Sequence, residues 1–368
     1  MPTITRGLTA AISCARASLT AAIGLLLLAG PTLALDIVYR KGGGRTVGGD
    51  ITKVTKSEVV VNQKVGNREE AVPANEISHI EWDAEPGPLK LARGSENTGN
   101  LDEAIRQYEE AVKAAPAGRD GLRREIEFGL ARATARRALR SGGELEPAVT
   151  RLKNFINGNR DHYRVFDAQL LLGEALLASE DALTADVSFQ IVSEAPWGDY
   201  QMAGKNGMAR SALARGDAAA ARALFDEVAA VNPADPAQKS RRLEALLGQA
   251  QCLSTEGQAD ESLKILGQVI DEAAEADSRI QATAYLRQGD ILRAAGSNPK
   301  EAVLAYLHVD VIPDFSAEAD LHAEALYHLA ALWPAAGEAA RGADAGARLQ
   351  AQYPQSPWTA KLGSPPTN

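Results

Sequence analysis

The chain has 368 residues, 45% hydrophobic and 24% charged, which suits one large or two ordinary domains and excludes wholesale disorder. Its two cysteines exclude a disulfide scaffold and any cysteine-based zinc site. A net charge of −9 argues against non-specific nucleic-acid binding, so no nucleic-acid partner is expected.

Residues 1–34 carry Arg6 and Arg16, no acidic residue, the apolar run Ala21–Gly30, then Pro31-Thr32-Leu33-Ala34. Positive flank, short apolar core and small-residue cleavage site together predict a signal peptide removed before Leu35. The core is short for a membrane span; the alternative is an uncleaved segment that tethers the protein to the membrane. Cys14 precedes the apolar run and is not placed for lipidation. The expected mature chain is exported, periplasmic or in the cell envelope, with 37 basic and 48 acidic residues and a net charge of −11. It keeps Cys252, read as a small buried apolar residue in a helix.

Residues 35–84 are rich in Val, Ile, Thr and Gly. Five short runs separated by turn residues predict strands at Asp36–Arg40, Thr46–Lys56, Glu58–Gln63, Glu70–Val72 and Ile77–Trp82. Five strands in so short a segment make a small curled sheet or barrel. By strand count and turn spacing it resembles the SH3-like or Sm-like class. Its core is too small to be stable alone, so Trp82 is expected to pack on the first helix that follows. Gly42-Gly43-Gly44-Arg45 lacks the Lys-Ser/Thr of a phosphate loop and reads as a hairpin turn.

From residue 85 alanine dominates and a pattern repeats. Gly99, Ala104, Tyr108, Ala111 and Pro116 set a register that returns at Gly216, Ala221, Phe225, Val228 and Pro233. It returns more loosely at Gly143, Ala148, Leu152 and Phe155, at Ala185 and Phe189, at Gly257, Ser262 and Leu266, and at Gly296, Ala302 and Tyr306. Gly337 and Pro354 end the series. The turn glycines are 44, 73, 41, 39 and 41 residues apart, and the gap of 73 holds a unit whose turn is Ser179-Glu180-Asp181. Seven helical hairpins follow. In the first helices, Leu172-Gly173, Met208-Ala209, Gln288-Gly289 and Leu329-Ala330 place a small residue where paired helices cross. The seventh unit has Gly342 and Gly346 where others have Ala and an aromatic, so it is expected to be the fraying end.

This register resembles the tetratricopeptide (TPR) family over about three quarters of the chain. Junctions such as Tyr353-Pro354-Gln355-Ser356 resemble those of exported bacterial members, including the outer-membrane assembly and cell-division-coordinator types. The resemblance implies a mostly α protein: a right-handed α-solenoid of about seven TPR-like helical hairpins over 85–362, preceded by the small β-barrel-like module and followed by a disordered tail at 363–368. No hairpin can bury its apolar stripe alone, so each stacks on the next.

Tetratricopeptide grooves are lined by first helices, which implies Asp167, Glu174, Asn206, Arg210, Glu244, Gln251, Asp290, Arg293, Glu324 and Tyr327 as candidates for binding a partner. They do not reproduce the Lys/Asn carboxylate clamp of chaperone-binding members. Seven arginines and three acids fall between residues 119 and 140. Arg132, Arg136 and Arg140 are spaced four apart on one helix face. They read either as a face paired with acidic neighbours or as a patch docking an anionic partner.

No chemistry-bearing motif emerges. The segment from Gly198 to Lys205 lacks phosphate-loop spacing, His322 and His328 are six apart rather than four, and no Gly-x-Ser-x-Gly elbow occurs. No catalytic residue, metal or cofactor is expected. The reading is a non-enzymatic exported scaffold for a protein or peptide partner in envelope organisation or assembly. The alternative is an envelope-polymer (peptidoglycan) binder using the β module, where Tyr39 and Trp82 are the available aromatics.

Overall fold

The computed structural model describes residues 35–141, 143–273, 277–296 and 298–362; the expected signal peptide and the expected disordered tail lie outside them. Five antiparallel strands open the described chain: β1 (Asp36–Arg40), β2 (Val47–Val54), β3 (Glu58–Gln63), β4 (Arg68–Pro73) and β5 (Ile77–Glu81). Their order in the sheet is β4-β3-β2-β1-β5. All five expected runs form strands. The barrel does not close, because β4 and β5 remain the two edges. Arginines of the helical part serve β5 instead, donating to the carbonyls of Ile77, Ser78 and Ile80.

Seven helical hairpins follow: α1 (Gly87–Asn97) with α2 (Leu101–Ala114), α3 (Asp120–Ser141) with α4 (Glu146–Gly158), and α5 (Val165–Ala178) with α6 (Ala182–Ser193). The series continues with α7 (Gly198–Ala214) and α8 (Ala218–Ala229), α9 (Pro236–Thr255) and α10 (Ala259–Glu272), α11 (Ser278–Ala295) and α12 (Pro299–Val311), and α13 (Ala319–Ala335) and α14 (Ala339–Gln352). The short α15 (Pro357–Ala360) closes the stack. Six of the seven hairpins turn through a left-handed residue. Gly99, Gly216, Gly257, Gly296 and Gly337 have φ between +65° and +89°, and Glu180 takes the same role at +64°.

The repeat register is a packing code. In four of the second helices the large residue drives into a glycine of a first helix. Phe189 of α6 sits between Gly173 of α5 and Gly207 of α7, where added Cβ atoms would lie 2.6 Å and 2.2 Å from its ring. Tyr108 meets Gly129 of α3, Phe225 meets Gly248 of α9, and Tyr306 meets Gly289 of α11 in the same way. The crossings are therefore as close as backbones allow. Small residues at these points cost helix propensity but permit interdigitation. Cys252 is fully buried in α9.

The seventh unit, expected to be the fraying end, packs its second helix onto α13. Gly342 lets α14 approach Pro334 and the Ala330 carbonyl of α13, Leu349 is fully buried, and Trp358 and Leu362 pack against the same cluster. His322 joins α13 to its surroundings, with Nε2 2.8 Å from Asp310 and Nδ1 2.6 Å from the Tyr353 hydroxyl. Gly342 thus permits a close helix crossing, whereas a Cβ at Gly346 would meet only ordinary contacts, 3.7 Å from Ala330 and 3.9 Å from Leu362.

One apolar cluster runs across the boundary between the β module and the helices. Val38, Ile77, Ile80 and Trp82 pack with Leu89 of α1, Tyr108 of α2, Leu122 and Ile126 of α3, and Tyr163. Trp82 shares this cluster with Leu89 and sets its ring on Gly121 of α3.

Candidate functional site

The first helices α3, α5, α7, α9, α11 and α13 touch in sequence, and α13 also reaches back to α3. In an ordinary one-dimensional stack each unit contacts only its neighbours. Here the inner row closes on itself, and Arg140 of α3 lies 3.8 Å from Glu318 at the start of α13. The inner wall therefore lies on a row of helices whose two ends touch.

Three cavities follow α9 along that wall. The first, about 380 Å³, is lined by Lys41 of the β module, Asp167, Asp199, Tyr200, Arg241, Glu244 and Arg279 among others. The second, about 230 Å³, shares Glu244 with it and adds Asn206, Arg210, Gln251, Thr283 and Arg287 over a floor of Phe225, Leu247 and Gly248. The third, about 330 Å³, shares Gln251 and Arg287 with the second and extends to Ser254, Thr255 and Asp290. Shared residues make the three one trench.

Polar groups of the trench are braced from behind. Asp167 accepts from the Tyr200 hydroxyl at 2.5 Å and pairs with Arg164 at 3.2 Å. Burial would raise its carboxyl, but Arg164 and Lys41 hold it below the ordinary range. Asn206 is buried; its amide donates to the Arg241 carbonyl at 2.8 Å, and its Oδ1 has no hydrogen-bond partner among the described residues. Glu244 takes Arg241 at 2.7 Å. Arg287 binds Asp290 at 2.5 Å and Glu324 at 2.6 Å, and Tyr306 donates to Asp290 at 2.7 Å. Burial nonetheless raises the Glu324 carboxyl.

Asp167, Asn206, Arg210, Glu244, Gln251 and Asp290 all line the trench. Glu174 and Glu324 stand behind it, on Arg210 at 3.7 Å and on Arg287. Arg293 and Tyr327 line none of the three cavities; Tyr327 packs on Trp358, with ring centroids 5.2 Å apart. Sequence reasoning missed Lys41, Tyr200, Arg241 and Arg287. The last two sit three residues before Glu244 and Asp290 on the same helix face, so the register already contained them. Nothing local pointed to Lys41, which arrives from the β module.

The arginine stripe on α3 is engaged internally. Arg132 binds both oxygens of Glu96 at 2.7 Å, and Arg136 adds a contact of 2.9 Å. Burial would raise Glu96, yet these guanidiniums and Tyr108 hold it charged. Arg140 faces Glu318 at the closure. On the β module Tyr39 stacks on His79, with centroids 4.4 Å apart, and Trp82 is buried. Among the described residues no cluster of His, Cys, Asp and Glu has the arrangement of a metal site.

Two histidines give the fold a pH dependence. Burial pushes His162 and His328 down from the ordinary 6.5 to about 4. His328 stacks on Tyr306, 4.7 Å between centroids, and lies 3.8 Å from Asp290. Both groups stay neutral when folded but protonate in the unfolded chain below 6.5. Their contribution is intact above that pH and is lost as pH falls from 6.5 to 4. Urea midpoints measured across this window should decline, and His328→Phe, which keeps the ring stack, should flatten part of the decline.

The fold and trench define the chain as an α-solenoid of tetratricopeptide-type hairpins with an N-terminal β-sheet. No family model matches it, and no curated protein matches it. A tetratricopeptide repeat protein from Parabacteroides merdae is similar at 16% identity and a TM-score of 0.46, over 72% of this chain and 91% of that one. The TPR2AB domain of yeast Sti1 in its pHSP90 complex is 16% identical with a TM-score of 0.29, over 75% of this chain and 93% of that one. A monomeric mutant of IFIT1 with Gppp-AAAA is 15% identical with a TM-score of 0.33, over 71% and 68%. None reaches a TM-score of 0.5; the architecture stated here rests on the hairpins and turns of this chain.

Proposed function

We propose that the protein is a non-enzymatic, exported scaffold that binds a protein or peptide partner in the trench along α9, in bacterial envelope organisation or assembly. The continuous trench carries this reading: a long, braced, mixed polar and apolar surface suits recognition of a chain rather than turnover of a small substrate. Export rests on the signal-peptide pattern of residues 1–34.

A photo-crosslinking residue at Gln251 or Thr283, in the full chain expressed with its leader, should capture a discrete envelope protein. The same residue at Leu183, exposed on α6, should not. Capture from Leu183 alone would sink the trench as the binding face. N-terminal sequencing of the exported protein should begin at Leu35; an intact Met1 in a membrane fraction would favour the tether.

A further inference from the structure

We infer that the second cavity of the trench is a binding site for one free α-amino acid with an apolar side chain, a ligand separate from the protein or peptide partner proposed above. Glu244 takes its ammonium, Arg210 its carboxylate, and Phe225 and Leu247 carry its side chain.

The first ground is which charges remain unanswered. Arg210, Arg287 and Glu244 are the charged groups that line the cavity. Arg287 is spent on Asp290 at 2.5 Å and Glu324 at 2.6 Å. Arg210 is not. It is 43% exposed, its one carboxylate neighbour is Glu174 at 3.7 Å, and its guanidinium makes no hydrogen bond among the described residues. Glu244 gives Oε1 to Arg241 at 2.7 Å, while its Oε2 has only the Asn206 amide at 3.5 Å. One guanidinium and one carboxylate oxygen therefore line the cavity with capacity to spare. A ligand of a single charge covers one of them and leaves the other desolvated and unmet. A zwitterion meets both, each through a charge-assisted hydrogen bond.

The second ground is the floor. Glu244, Leu247 and Gly248 share one face of α9, so an apolar step adjoins the carboxylate. Gly248 has no side chain, and the Phe225 ring fills its notch, which leaves a closed apolar surface beside Leu247. Size is the third. At about 230 Å³ the cavity falls below the ~300–1,000 Å³ of sites for drug-sized ligands, which suits one small molecule and not a stretch of chain. An α-amino acid brings both charges and an apolar group together within such a volume.

The test is isothermal titration calorimetry of the exported protein with L-leucine and three analogues. These are 4-methylpentanoate, which lacks the ammonium, isopentylamine, which lacks the carboxylate, and N-acetyl-leucinamide, which lacks both charges. Leucine should bind at least about tenfold tighter than each of them. Arg210→Gln should weaken leucine by about tenfold or more and leave isopentylamine as it was. Glu244→Gln should weaken leucine and leave 4-methylpentanoate as it was. A merely structural lesion would weaken all four ligands alike. Equal binding of leucine and 4-methylpentanoate would make the cavity an anion site and overturn the zwitterion. Equal binding of leucine and N-acetyl-leucinamide would make it a pocket for a peptide side chain and overturn the free amino acid. No binding of leucine, with a partner still captured from Gln251, would overturn this site and leave the scaffold reading standing; leucine binding without any captured partner would do the reverse.

Discussion

Phe225→Ala should lower the free energy of unfolding by about 3–5 kcal/mol, among the largest single-residue effects in the solenoid. Phe225 is 1% exposed, and its ring presses on Gly248 so closely that a Cβ there would come within 2.3 Å of it. Nothing nearby can fill the void, because the facing residue has no side chain to extend. The lesion also falls in the fourth of seven units, where a stack is divided into two weaker halves. Ala221→Leu, one turn earlier on α8, should cost roughly 1–3 kcal/mol by wedging the same helices apart. Urea denaturation followed by circular dichroism gives both values. A loss below about 1 kcal/mol for Phe225→Ala would mean that the α8–α9 crossing is not built on this ring. Because Phe225 and Gly248 also floor the trench, peptide binding should fall with stability.

One side of that crossing was legible in the sequence from spacing alone. Ala221 and Phe225, a small residue and an aromatic four apart, mark the knob; Gly248, the notch on the next helix, was not among the crossing residues the register singled out. The turn at Glu180 was legible for a different reason. Its glycine is absent, but the hairpin period required a turn there, and the chain accepts φ of +64° at a glutamate. Glu96 was invisible as the partner of Arg132 and Arg136, since 36 and 40 residues separate them and only the hairpin stacking brings them together. The stripe of arginines thus looked like a surface when its first two members bind one buried carboxylate.

The closure of the inner row was equally hidden. Whether seven hairpins coil openly or meet depends on small rotations at each crossing, and no local residue encodes their total. The sheet shows the same limit. Turn residues located every strand, but whether the edges join depends on what the helices offer β5, and they offer arginines.

Arg164→Met should be as damaging, costing about 3–5 kcal/mol at neutral pH, and should loosen the β module from the helices. Arg164 is 4% exposed and sits where the module meets α5. It donates to Ser78 at 2.5 Å and Ile77 at 3.4 Å on β5, pairs with Asp167 at 3.2 Å, lies 3.7 Å from Glu125, and stacks over Tyr163 at 4.7 Å. Methionine keeps much of the volume but leaves two strand carbonyls without their donor and the buried Glu125 without its nearest counter-charge. The pH dependence separates this from a simple packing fault. Burial works to raise Glu125, and Arg164 holds it below its ordinary value of 4.5. In the parent its stabilisation is present above that pH and lost as pH falls through the depressed value. Without Arg164, the burial penalty on Glu125 is opposed only by Arg93, Tyr163 and His162, so its carboxyl moves upward. The deficit of Arg164→Met should therefore be greatest near pH 7 and shrink as pH falls, because Glu125 takes up a proton more readily in the variant than in the parent. Adding Glu125→Gln should recover part of the loss at pH 7, because the uncompensated charge is then gone. A deficit independent of pH, with no recovery in the double variant, would show that Arg164 acts through volume alone and that the module is held by the apolar cluster around Trp82.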